Sequence, residues 1–288
     1  MARTVNDAFD VFVGWLTPTG GETQAAASHR ASIESCLRSN FGITGFFRSG
    51  SFGHGTSVSG HSDVDYFAVI PNANLKENSN ATLQEMRSAL QARFPRTAVT
   101  VRSPAVVVPF GSGAGERHEI TPAEYIKEQN RHSVYDIPDR YGGWMKSSPG
   151  GHNAWVNEQN DRLGKKVKPL IRLVKAWNYR RSVGIRSFYL ELRTTEYAKG
   201  ETSIIYRHDV LAVFRQLRNK ELAAMQDPLG ISGYVHPCTD AVKADALSKL
   251  DTAIARATKA MEAESGGRVR EAFEWWDLVF AGAFPAYY

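Results

Sequence analysis

The sequence predicts an α+β fold in two lobes, a mixed-sheet lobe first and a helical lobe after it. Two observations carry this. Before Trp144, helix-type periodicity alternates with short β-branched and aromatic runs; from Trp144 onward the apolar spacing is almost wholly helical. The length, 288 residues, is enough to bury one large core or two smaller ones.

Taken in order, Glu22 to Asn40 carries Ala, Ile and Leu at helical spacing and reads as one long helix. Ile43 to Arg48 reads as a short strand, Val64 to Ile70 as the next, and Pro71-Asn72-Ala73-Asn74 breaks the chain. A helix over Ala81–Arg93 precedes strands at Ala98–Arg102 and Ala105–Phe110. The run Gly111–Gly115 marks a hairpin-type turn, and Arg117–Thr121 returns as a strand. Helices follow over Ala154–Gly164, Lys168–Arg181, Ser187–Tyr197, Ile204–Asn219, Ala241–Glu264 and Arg268–Val279. Asp227-Pro228-Leu229-Gly230 and His236-Pro237 punctuate them. A cleft is expected between the lobes, where small ligands usually bind.

The formal net charge of +5 suits a polyanionic ligand, though solubility explains it equally well. Cys36 and Cys238 are the only cysteines and lie far apart, so neither a disulfide framework nor a cysteine-rich zinc site is signalled. The stretch Met1–Asp7 lacks the apolar core of a signal peptide, and no apolar run approaches membrane-spanning length. A cytoplasmic protein without a membrane partner is expected. Basic residues crowd between Arg162 and Arg193, but no long basic groove interleaved with aromatics appears. An obligatory long nucleic-acid partner is therefore disfavoured against a triphosphate.

The chemistry concentrates in residues 50–70. Gly50-Ser51 opens a turn rich in small residues, free to wrap phosphate oxygens. Asp63 and Asp65 follow at i,i+2, and on a strand such a pair emerges on one face. Adjacent carboxylates repel unless a cation lies between them, and Mg²⁺, which prefers oxygen ligands and keeps substrate phosphates in its shell, is the natural occupant.

The pattern Gly50-Ser51, Gly55-Thr56, Ser62-Asp63-Val64-Asp65 resembles the nucleotidyltransferase superfamily that includes DNA polymerase β. Within it, Phe47 through Asp65 is similar to the bacterial cGAS/DncV-like nucleotidyltransferases, also called CD-NTases or SMODS enzymes, of antiphage (CBASS) signalling. The likeness spans nearly the whole chain, with the catalytic motif its specific part. The segments Tyr135–Pro149 and Trp276–Pro285 support it, and no Cys/His zinc insertion like that of animal cGAS is present.

The resemblance implies a polymerase-β-like fold, with residues 1–145, including the long N-terminal helix, as catalytic lobe and 146–288 as a helical lobe of one integrated enzyme. It implies a third carboxylate, for which Glu119 in His118-Glu119-Ile120-Thr121-Pro122-Ala123 is the candidate and Glu116 the nearby alternative. The family residue is usually Asp, so the reach differs by a methylene. Lys175, in the stripe Leu170, Val174, Trp177, is expected to reach a cleft and hold the donor triphosphate. Ser187, at an expected helix N-cap, would contact donor phosphates. Phe188 would stack on a nucleobase, and Ser147 would lie beside one, leaving room for a purine.

The implied activity condenses NTPs, ATP with GTP or UTP as further candidates, into a cyclic oligonucleotide that an effector protein senses. A purine-containing cyclic dinucleotide is expected, made with two Mg²⁺ ions (or Mn²⁺) held by Asp63, Asp65 and Glu119. Two alternatives stay open: a same-fold enzyme acting on RNA, a small molecule or a protein hydroxyl, and a non-catalytic nucleotide-binding module.

Overall fold

Among the described residues two large hydrophobic cores form, one in each region, with a small third cluster on the other sheet face. The computed structural model describes residues 2–18, 24–61, 63–110 and 116–288; the expected turn at Gly111–Gly115 and the start of the long helix at Glu22 lie outside them. The chain runs α1 (Val5–Leu16), α2 (Gln24–Phe41), β1 (Gly45–Arg48), α3 (Gly50–His54), β2 (Val64–Val69), α4 (Ser79–Arg93), β3 (Thr100–Arg102), β4 (Ala105–Phe110) and β5 (Glu116–Gln129). A hairpin, β6 (His132–Pro138) and β7 (Trp144–Ser147), completes the sheet region. Helices α5 (Pro149–Arg162), α6 (Val167–Arg180), α7 (Ser187–Lys199) and α8 (Tyr206–Asn219) follow. The short pair β8 (Met225–Gln226) and β9 (Tyr234–Val235) precedes α9 (Asp240–Ser265) and α10 (Val269–Val279).

The main sheet is mixed, in the order β1-β2-β5-β4-β3, with β6 on the second half of β5 and β7 on β6. Alternation sorts its faces. Ala68, Ile120, Val106 and Val108 pack against Ile33 and Leu37 of α2 and Leu83, Met86 and Leu90 of α4. Phe67 and Ala123 emerge on the other face with Ile137, and Phe47 and Tyr135 pack beside them. β2 and β5 are parallel, with Asp65 beside Glu119 in register. β5 is far longer than the strand expected at Arg117–Thr121, because its second half bonds a hairpin no local signal announces.

The helical core is continuous from Val156 to Phe284 and includes Trp177, Phe214 and Trp276. It also takes in α1, for which the sequence analysis gives no element. Thr4 caps that helix by accepting from the Asp7 N–H at 3.1 Å. Phe9 meets the Trp276 ring edge-on at 4.9 Å and Phe12 meets Phe280 at 4.8 Å. The first helix thus packs with the helices of the second half of the chain. No helix among the described residues is long and apolar enough to cross a membrane.

Candidate active site

Asp65 lies against the turn that precedes it. Gly50 has φ +56°, and a Cβ there would fall 2.0 Å from the Asp65 Oδ2, so only glycine fits. The Ser49 N–H donates to the Asp65 carbonyl at 2.8 Å, and the Ser51 N–H donates to its carboxylate. Residues 50–54 coil into one helical turn, α3, where an irregular turn was expected. Burial and the neighbouring charges of Glu119 and Asp63 push the Asp65 carboxyl up to about 8, against the pull of Lys175 and the Ser51 N–H. Glu119 is likewise raised by burial and by Asp63, against Arg117 and Arg102.

The three carboxylates therefore face one another on the sheet face opposite α2 and α4. They are not closed into a coordination shell among the described residues. The guanidinium of Arg117, two residues before Glu119 on the same face, reaches Glu119 Oε1 at 3.0 Å and Asp63 Oδ1 at 3.5 Å. Arg102 from β3 lies 3.7 Å from the same Glu119 oxygen. The donor set still fits a hard divalent cation, since mutually repelling oxygens over a glycine cradle are what such an ion relieves. Glu116, the alternative third carboxylate, points to the opposite face, where it bonds His118 at 2.6 Å and His29 at 3.0 Å.

Lys175 requires correction. It is 1% exposed rather than open to a cleft, because α6 turns it inward with its apolar neighbours. Its ammonium donates to Glu191 Oε2 at 2.8 Å and Thr56 Oγ1 at 3.0 Å. Glu191 also accepts from the Thr56 hydroxyl and bonds His54 Nδ1, each at 2.5 Å. Burial would raise the Glu191 carboxyl, but Lys175 and His54 outweigh it and hold it well below the usual carboxylate range. Arg172, one helical turn before Lys175, donates to the carbonyls of Gly55 (2.7 Å) and Ser57 (3.1 Å).

Ser187 is the first residue of α7 rather than its cap. The extended Arg186 takes that place, its N–H donating to the Pro237 carbonyl at 2.7 Å. The Ser187 hydroxyl is 2.6 Å from the Tyr179 hydroxyl, and the Tyr179 ring stacks on His61 at 5.3 Å. Phe188 is 37% exposed, so it is not core packing; its ring meets His152 edge-on at 5.0 Å. His152 is buried and bonded to Asp227 at 2.8 Å, which ties α5 to the β8–β9 loop. Ser147 ends β7, opposite Tyr135 in register and with Ser148 alone between it and the start of α5.

The structure thus groups Gly50, Ser51, Asp63, Asp65 and Glu119. It places Lys175 behind them, Ser187 and Phe188 at the start of α7, and Ser147 at the end of β7. Residues the sequence reading missed are Glu191, Thr56, His54, Arg117 and Tyr179. Thr56 stood in the Gly55-Thr56 motif without a role, and Glu191 left a trace as a lone charge inside Tyr189-Leu190-Glu191-Leu192, four residues after Ser187. Two surface hollows, of about 470 Å³ beside α2 and α4 and about 330 Å³ beside β1, lie away from the carboxylates.

A mixed sheet carrying carboxylates on two adjacent parallel strands, backed by a Gly-Ser turn and a helical lobe, defines a nucleotidyltransferase of the polymerase-β type. Residues 3–160 match the model of the Second Messenger Oligonucleotide or Dinucleotide Synthetase (SMODS) domain, and the chain belongs to that family, the CD-NTases. A Bacillus cereus (strain VD146) protein named "Probable cyclic nucleotide synthase" is 26% identical over 233 residues, covering 78% of this chain and 69% of that protein. The structure of Escherichia coli MS115-1 CdnC with ATP superposes with TM-score 0.76 at 18% identity, covering 98% of this chain and 99% of that one. A Vibrio cholerae DncV deletion mutant gives 0.75 at 14% identity, covering 98% and 97%.

Proposed function

We propose that this nucleotidyltransferase joins NTPs into a purine-containing cyclic dinucleotide that serves antiphage (CBASS) signalling through a sensing effector protein. The observation that carries the reading is the register of Asp65 with Glu119, which sets both beside Asp63 and over the Gly50–Ser51 turn. Supporting it are the SMODS family and the relatives whose structures hold ATP or GTP.

Asp63, Asp65 and Glu119 would hold two Mg²⁺ ions (Mn²⁺ serving as well), which would neutralise the donor phosphates and acidify the acceptor ribose hydroxyl. Ser51 and Ser187 would position the triphosphate, while Phe188 would stack on a base. Glu119 would help hold the ion beside the attacking hydroxyl and would accept its proton. The hydroxyl oxygen bonds to the α-phosphorus, the α–β bridge breaks, and pyrophosphate leaves. The same exchange within the linear intermediate closes the ring. The small Ser147 leaves room for a purine. Lys175, enclosed by Glu191 and Thr56, would support the turn and supply positive charge behind the phosphates.

One observation favours a second reading. Arg117 already pairs with Asp63 and Glu119, which suits a nucleotide-binding module without turnover. Incubating the pure protein with labelled NTPs and Mg²⁺ or Mn²⁺ separates the two. A phosphatase-resistant product formed without primer is expected. Nucleotide binding without product supports the second reading, and label appearing only on added RNA or protein contradicts the first.

A further inference from the structure

The buried cluster behind the carboxylates connects to them by a continuous path. Glu191 of α7 receives Lys175 of α6, the His54 ring and the Thr56 hydroxyl, so one side chain gathers both ends of the 54–56 segment onto the helical lobe. The Thr56 N–H donates to the Ser51 carbonyl at 2.8 Å, and the Ser51 N–H donates to the Asp65 carboxylate. His54 is fixed at its other nitrogen as well, which lies 3.2 Å from the Pro149 carbonyl at the start of α5.

We propose that Glu191 is the positioning residue of the site, setting the Asp65 carboxylate through Thr56 and Ser51, with Lys175 as its counter-cation. This rests on the carboxylates being the cation and nucleotide site. Glu191 and Thr56 are both almost wholly buried, so Glu191 holds the turn without itself meeting the nucleotide. A fully satisfied buried network of this kind fixes one geometry, whereas a turn of Gly, Ser and Thr alone has many. Groups that orient cation ligands from behind are worth about 10- to 100-fold in cation affinity or activity, which sets the size of the expected effect.

The test uses the full chain with a non-hydrolysable ATP analogue, measured with and without Mn²⁺, beside hydrogen exchange of the 51–56 amides in the metal-free protein. In Glu191→Gln, analogue binding without metal should stay within about threefold of wild type, while the Mn²⁺-dependent gain should fall about tenfold or more. The 51–56 amides should exchange faster, and kcat/KM for product should fall by a similar factor. Glu191→Asp should recover part of both losses. Should Glu191→Gln not fold, Thr56→Val, which removes the hydroxyl's bonds to Glu191 and Lys175 and leaves that ion pair in place, carries the test in the same direction. An unchanged Mn²⁺ gain and unchanged exchange in either folded variant overturn the proposal. A wild type that binds with Mn²⁺ but makes no product contradicts the cyclisation reading alone, and the binding arms still decide Glu191. A wild type with no Mn²⁺ gain overturns both.

Discussion

Two carboxylate clusters, joined by the 50–57 turn, follow opposite electrostatic designs. On the sheet face Asp63, Asp65 and Glu119 crowd like charges together, and Asp65 is pushed up to about 8. Behind the turn Glu191 lies deeper still, yet Lys175 and His54 hold it well below the ordinary range. Burial acts in the same direction on both. The difference is the partner: the first cluster is short of positive charge and open to a ligand that supplies it, while the second is closed upon its own cation. The first is therefore read as chemistry and the second as architecture.

Opposite consequences follow on substitution. The largest expected effect is on turnover: Asp63→Ala with Asp65→Ala should cut product formation by at least about 10³-fold, since the cation's several kcal/mol of charge stabilisation goes with its ligands. Undiminished product by chromatography would exclude them as the cation site. In the second cluster, Lys175→Met leaves Glu191 without its counter-cation, and urea unfolding should show a loss of about 3–5 kcal/mol.

A third buried carboxylate calibrates that comparison. Asp227 sits beside His152 and accepts from the N–H groups of Leu229, Ile231 and Ser232. Burial would raise its carboxyl, but His152 and these N–H groups hold it well below its ordinary value. A depressed carboxyl contributes stability that is present above its unfolded value, about 4, and is lost as pH falls through the native one. Asp227→Asn should thus cost about 2 kcal/mol at pH 7, a gap that narrows below about pH 4 in parallel unfolding curves. The smallest effect has the opposite sign: Asp65→Asn relieves like-charge crowding and should raise metal-free stability at pH 7 by about 1 kcal/mol, read by the same unfolding curves. A loss there would place Asp65 with the closed clusters.

What the sequence disclosed follows the range of each signal. The i,i+2 aspartates and the strand around them are local features, and the register that brings Glu119 to Asp65 follows from a parallel pairing of two readable strands. The helices from α5 to α10 announce themselves by spacing, with ends shifted by a few residues. The Lys175–Glu191 pair was not legible, since Lys175 at the edge of an apolar stripe reads as cleft-facing until α7 is packed across it. Arg117 was missed for the same reason: its charge matters only once the strand places it between Asp63 and Glu119. α1 does carry Val5, Ala8, Phe9, Phe12 and Leu16 as a helical stripe, but its partners are Trp276, Phe280 and Phe284 at the far end of the chain.

The most direct test is a crystal structure with Mn²⁺ and a non-hydrolysable NTP, the metal located by its anomalous scattering. The account predicts Mn²⁺ coordinated by Asp63, Asp65 and Glu119, with Arg117 drawn away from them and the Lys175–Glu191 pair unmoved. A bound nucleotide with Arg117 still seated between Asp63 and Glu119, and no manganese there, would contradict it.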